Sequence, residues 1–163
     1  MAAGSGAYVA GDVGSYSYGA YSVSALAVSG GMKFTPNLAA EVGLVLPNSY
    51  NYVSGGAMYT FDHSVLKGAA VALLPLNRQI DLYGKLGLAR VGWSDTGLGY
   101  SVSGSDINLM FGFGAQMTIN PRLALRAQYE YYGNNVAGWY GGAGGGYYRD
   151  SSSLLSIGAS YTF

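Results

Sequence analysis

The side chains able to do chemistry are few in this chain. Eight Lys and Arg face eight Asp and Glu across 163 residues, with a single His and no Cys. Asp12, Glu41, Lys85, Arg126 and Glu130 stand at alternating positions among small or polar residues, and Lys33 and Lys67 can join them. Such a set can form a compensated ion-pair network or line a path for ions or protons. An unpaired charge in a confined interior is costly, which favours the network. Glu41 lies five residues after Pro36 and Arg126 five after Pro121, so opposite charges are expected at similar depth on strands far apart in sequence.

His63-Ser64 is the one combination resembling a base and a nucleophile, as a lipid hydrolase or acyltransferase would need. Neighbouring residues of a strand point to opposite faces, so these two are poorly placed to share a proton. No catalytic residue is assigned, the chain is expected not to be an enzyme, and His63 reads as an exposed loop residue. One His, no Cys and dispersed carboxylates predict no metal site, and no cofactor is expected. The glycine run at 141–146 lacks the Lys and Ser/Thr of a phosphate loop and reads as a flexible connection.

The composition sets what must position these groups. Half of the residues are hydrophobic, 10% are charged and the net charge is zero. A soluble domain carries about 25% charged residues, so this chain would cover a water-facing surface poorly. No apolar run reaches the ~18 residues of a membrane-spanning helix. A closed barrel is then the way to cross a bilayer, since every backbone polar group must find an internal partner there. Scattered, balanced charges argue against a nucleic-acid partner. Met1-Ala2-Ala3-Gly4 leads straight into a strand-like stretch without the basic and apolar parts of a secretory signal, so a processed chain is expected.

The dominant period is two, broken at regular intervals by turn chemistry. Strands are predicted at 6–14, 24–34, 38–46, 64–74, 80–93, 106–118, 123–133 and 152–163. Tight links occur at Thr35-Pro36-Asn37, at 75–79 and at Ile119-Asn120-Pro121-Arg122. The links at 15–23, 47–62, 94–105 and 134–151 are longer and rich in Gly, Ser, Tyr and Asn. The expected fold is all-β: a closed, antiparallel, up-and-down transmembrane β-barrel of eight strands, formed by residues 1–163 as one domain, with both termini on the short-turn side.

The two faces of each strand differ in size as well as polarity. Leu123, Leu125, Ala127, Tyr129 and Tyr131 oppose Ala124, Arg126, Gln128, Glu130 and Tyr132; Ile107, Leu109, Phe111 and Phe113 oppose Asn108, Met110, Gly112 and Gly114. A soluble barrel also alternates, but it would crowd the bulky apolar residues into a narrow interior. Small and polar residues suit that interior better, so the large apolar side chains are expected to face lipid. Trp93, Tyr129, Tyr131, Tyr161 and Phe163 are predicted at the bilayer interfaces.

The ending Leu155, Ile157, Ala159, Tyr161, Phe163, the segment from Asp81 to Arg90 and the Asn120-Pro121 turn resemble the outer-membrane protein A-like family of small eight-stranded barrels. The likeness extends over nearly the whole chain. It implies a bacterial outer-membrane location, and Tyr161 with Phe163 as the C-terminal signal read by the barrel assembly machinery. It also implies a lumen plugged by ion pairs. Function does not travel with the scaffold.

The expected role is that of a monomeric structural or surface-interaction barrel in contact with lipid and lipopolysaccharide. Tyr16, Tyr18, Tyr21, Tyr50, Tyr52, Trp139, Tyr140, Tyr147 and Tyr148 in the long links suit an adhesive surface, and they suit interfacial anchoring equally. A narrow passive pore is the first alternative, and a lipid-modifying enzyme the second.

Overall fold

Alternation in the sequence becomes nine strand segments in the computed structural model, which describes residues 6–140 and 146–163. They are β1 (Gly6–Tyr18), β2 (Tyr21–Thr35), β3 (Leu38–Pro47), β4 (Tyr50–Ser54), β5 (Ala57–Pro75), β6 (Ile80–Gly97), β7 (Tyr100–Thr118), β8 (Leu123–Tyr140) and β9 (Gly146–Thr162). Every neighbour is antiparallel. β3 and β4 both pair with β5, as two parts of one stave interrupted at Asn48-Ser49, so the wall has eight staves. Pairing of β1 with β9, from Tyr8↔Thr162 to Tyr18↔Ser152, closes the sheet and leaves no open edge along this seam.

Asn side chains cap the tight turns. Asn77 Oδ1 accepts from the backbone N–H of Gln79 and Ile80 at 2.8 and 2.9 Å, and Asn120 Oδ1 accepts from Arg122 and Leu123 at 2.9 Å each.

The opposite rim differs from expectation. Three of the links read as long loops, 15–23, 47–62 and 94–105, are strand extensions closed by two-residue turns. Gly55-Gly56, with φ of 61° and 82°, and Leu98-Gly99, with φ of 45° and 79°, supply the positive dihedrals such turns need. Tyr, Val, Ser and Thr alternate through these stretches and keep the ladder running, as in Tyr52↔Tyr59 and Thr96↔Ser101. The glycines had suggested loops, yet they occupy the turns or positions within strands. The last connection, 141–145, lies outside the described residues.

The outer face carries a belt of exposed large apolar residues, including Val13, Val42, Leu66, Leu86, Leu88, Ile107, Phe113, Leu155 and Ile157. A surface of this kind fits hydrocarbon and would be an aggregation hazard in water. The inner face is filled by side chains.

Candidate functional site

The lumen is built from inward positions of all staves, because the pleat sends every second side chain inside. Inward Asp12 of β1, Glu41 of β3, Lys67 of β5, Lys85 of β6, and Arg126 and Glu130 of β8 are all buried. They meet at one level. Arg126 grips Asp12 with two nitrogens, Nε lying 2.7 Å from Oδ1 and the second donor reaching Oδ2. The same guanidinium donates to Glu41 at 3.0 Å and to Ser29 Oγ at 2.9 Å. Lys85 bridges Glu41 at 2.6 Å and Glu130 at 3.0 Å, while Lys67 lies 2.5 Å from Glu130. Three carboxylates thus face three cations, and the set is neutral.

Neutral groups complete it. Tyr8 donates to Glu41 at 3.0 Å, Tyr132 to Glu130 at 2.6 Å, and Lys85 also donates to Gln128 Oε1 at 2.8 Å. Inward glycines make the room. A Cβ on Gly158 would strike Asp12 Oδ1 and the Gly11 backbone, one on Gly43 would stand 2.9 Å from Lys67 Cε, and one on Gly112 would stand 3.0 Å from Glu130 Cγ.

The structure therefore brings together all five charges singled out in the sequence, and of the two lysines that could join them Lys67 does. Lys33 is outside these ion pairs and shares with Glu41, Lys85 and Arg126 the wall of a cavity of about 20 Å³, room for about one water. Arg126 binds Asp12 and Glu41, and Glu130 is served by the two lysines instead.

Sequence reasoning missed a second plug. Directly beyond the charges, towards the extended hairpins, Val45, Val65, Ala89, Val91, Met110 and Leu154 pack with Tyr16, Tyr18 and Tyr132 into a buried apolar cluster. Tyr16 and Tyr18, expected on loops, are lumen residues in β1. A smaller cluster of Tyr8, Ala39, Val71, Leu73 and Tyr83 lies on the other side of the charges. The interior is layered: apolar, ionic, then a mainly apolar layer that also holds buried His63, Asn135 and Ser152.

His63 belongs to this interior. It is buried, its ring 4.6 Å from that of Tyr18 and 4.9 Å from that of Phe61, while Ser64 faces outward on the same strand. The exposed-loop reading of His63 is thus corrected; strand β5 extends through it. The wall of the barrel separates His63 from Ser64. Among the described residues no group of three metal-ligating side chains occurs.

The aromatic residues sort by parity. Tyr129 and Tyr131 point outward and pack on Phe113 and Phe111, ring centroids 5.6 and 5.0 Å apart. Tyr161 and Phe163 are exposed at the short-turn rim in an edge-to-face pair at 5.5 Å, and Arg122 donates to the Tyr161 hydroxyl at 3.3 Å. Trp93 corrects the expectation: it shares the inward parity of Lys85 and Val91 and stacks on Phe61 at 6.3 Å, over the barrel mouth. The side chains of Trp139, Tyr140, Tyr147 and Tyr148 lie outside the described ones.

This closed wall, apolar belt and filled lumen agree with the comparison of the whole chain, residues 1–163, with known families, which matches the outer membrane protein beta-barrel domain. The chain belongs to that family. Solved structures similar to this family member include Neisserial surface protein A, at 19% identity and a TM-score of 0.69, covering 96% of this chain and 97% of that one. The N-terminal β-barrel domain of Pseudomonas aeruginosa OprF is similar at 12% identity and a TM-score of 0.65, with 98% and 99% covered. Ail, the attachment invasion locus protein of Yersinia pestis, aligns at 17% identity and a TM-score of 0.62 over the full length of both chains. Comparison with curated proteins found no match. At these identities the likeness to solved structures carries the eight-stranded barrel fold, and the residues of the plug have to be argued from this chain itself.

Proposed function

We propose that this chain is a sealed, non-enzymatic barrel of the bacterial outer membrane, acting as a structural or surface-interaction protein through its extended hairpins. The observation that carries this reading is the layered lumen. An ion would have to break the Asp12–Arg126–Glu41–Lys85–Glu130–Lys67 network and then cross the apolar layer around Met110, Val65 and Leu154. A barrel with no path inside has its exterior and its rim left to work with. The rim is well supplied: Tyr21, Tyr50, Tyr52 and Tyr59 form a row of neighbouring rings, with centroids 4.6 Å apart for Tyr21–Tyr50 and 5.2 Å for Tyr52–Tyr59. Rigid, amphipathic rings of this kind suit contact with partners.

The same reading gives the chain three companions. The apolar belt contacts the lipid bilayer, lipopolysaccharide surrounds the outer-leaflet side, and Tyr161 with Phe163 is read by the barrel assembly machinery during insertion. The barrel acts as a monomer. Ail, similar in fold, is the attachment invasion locus protein of Yersinia pestis, and its complex with the heparin analogue sucrose octasulfate is among the similar structures. Attachment through the hairpin rim is the corresponding proposal here.

Proteoliposomes test this. Intact barrels should not admit sugars in osmotic swelling assays, and they should be retained on cell surfaces more strongly than barrels whose hairpins are trimmed at the Gly19, Gly55 and Gly99 turns. Sugar-driven swelling would reject the sealed lumen. Equal retention of trimmed and intact barrels would reject the surface role.

A further inference from the structure

The outer face changes character above the lipid belt. On β5 the outward positions Leu66 and Leu74 bound an apolar stretch, and Ser64, Asp62 and Thr60 follow towards the hairpin. On β7 the sequence Met117, Phe113, Phe111, Leu109, Ile107 gives way to Ser105, Ser103 and Ser101, all exposed. Cross-strand register turns these residues into continuous rows. Asn51, Thr60, Thr96 and Ser101 stand opposite one another on β4, β5, β6 and β7, and Ser22, Ser17 and Ser153 do so on β2, β1 and β9. Neighbouring members hydrogen-bond: Thr60 donates to Asn51 at 2.8 Å, and Ser17 and Ser22 hydroxyls are 2.9 Å apart.

Strand length shows where these rows lie. At roughly 3.3 Å per residue and a tilt near 40°, residues 66–74 rise about 23 Å, close to the ~25 Å apolar band of such barrels. Residues 57–65 of the same strand continue for a further height of about 23 Å by the same estimate. The hydroxyl rows therefore occupy the layer directly outside the outer leaflet. Their composition is not that of a surface built for water, where about a quarter or more of residues are charged and the signs are mixed. Among the described residues the outward or exposed charges of this zone are Asp62, Arg90, Arg149 and Asp150, and Arg149 is already held by Asp106 at 2.7 Å. A phosphate-binding face would need a concentration of cations. A face of Ser, Thr and Asn, each both donor and acceptor, matches uncharged sugar hydroxyls.

We infer that this hydroxyl collar binds the uncharged sugars of the lipopolysaccharide core around the barrel, fixing its height and rigidity in the outer leaflet independently of the lipid A phosphates. The rows present several donor and acceptor positions at the cross-strand spacing of about 5 Å, so a saccharide chain lying against the wall can meet them in succession. Each contact is weak alone; the collar acts through their number.

The barrel is refolded into phospholipid vesicles containing no lipopolysaccharide, lipopolysaccharide with a complete core, or lipopolysaccharide lacking the core sugars but retaining lipid A phosphates. Thermal unfolding midpoints are then compared. The expected result is a rise of several degrees with the complete core alone. A Thr96→Val/Ser101→Ala/Ser103→Ala variant should show the phospholipid midpoint of the unaltered barrel and lose that rise. Should it fail to refold, Ser17→Ala/Ser22→Ala on the opposite wall is read the same way, with a reduced rise. An equal rise with core-free lipopolysaccharide, or a rise fully retained in the folded variants, would overturn the inference.

Discussion

Arg126 Nε and Asp12 Oδ1 lie 2.7 Å apart although 114 residues separate them in the chain. The contact exists because closure sets β9 between β1 and β8, and the narrow interior lets a guanidinium on β8 reach past Gly158 of β9 to β1. The same guanidinium touches Glu41 and Ser29, so one side chain ties together the four staves β8, β1, β2 and β3. Arg126→Ala leaves buried Asp12 without its cation, while Glu41 keeps Lys85 and Tyr8, and should cost about 3–5 kcal/mol, the range for breaking a buried pair. Reversible urea unfolding in lipid vesicles measures it; an unaltered midpoint would remove Arg126 from the network.

The opposite lobe should behave as a coupled unit. Lys67→Met leaves Glu130 with Lys85 and Tyr132, a partial loss, whereas Glu130→Gln orphans part of two lysines. Removing a pair together leaves less uncompensated charge than removing one member. Lys67→Met/Glu130→Gln is therefore expected to be less destabilised than the sum of its single variants, with a coupling energy of about 0.5–3 kcal/mol in a double-mutant cycle. Strict additivity would show that Lys67 and Glu130 do not interact.

Gly158 is a steric prediction. Its missing Cβ is the space into which the Asp12 carboxylate settles. Gly158→Ala should destabilise by about 1–3 kcal/mol through overpacking, by the same unfolding measurement. A neutral or stabilising alanine would mean that Asp12 is not held against β9.

Much of this was legible in the sequence, and the reasons differ by residue. The offset of Glu41 and Arg126 from their prolines placed both at one depth, and they lie 3.0 Å apart. Parity alone places Lys67 and Trp93 inside once β5 and β6 are extended in register, so Trp93 was assignable from Lys85 by counting in twos. Pairings across the closure were not legible, because which carboxylate faces Arg126 depends on the stagger between β1, β8 and β9. The apolar layer was hidden for another reason. Val45, Val65 and Val91 share the inward parity of the charges, and as apolar residues they break the contrast of small or polar inside with large apolar outside. Turn glycines at the far rim likewise masked strands that tyrosine and serine alternation sustains.

Met110 is fully buried at the heart of that apolar layer. Met110→Ala should cost about 2–5 kcal/mol, as for other large-to-small changes in packed interiors. A cost below 1 kcal/mol in vesicle unfolding would show the layer to be loosely filled or wet.

The ionic and apolar layers lie one above the other, so the sealed barrel proposed here differs testably from a gated one. Ion pairs can exchange partners, but Val65, Met110 and Leu154 offer an ion no substitute for its hydration. Single-channel recording in planar bilayers examines this most directly, with the unaltered protein and Arg126→Ala side by side. Both are expected to insert without discrete current steps, because loss of the ionic layer leaves the apolar one in place. Reproducible unitary conductance from the unaltered barrel would contradict the sealed lumen, and steps appearing with Arg126→Ala alone would show that the ion pairs are the sole gate.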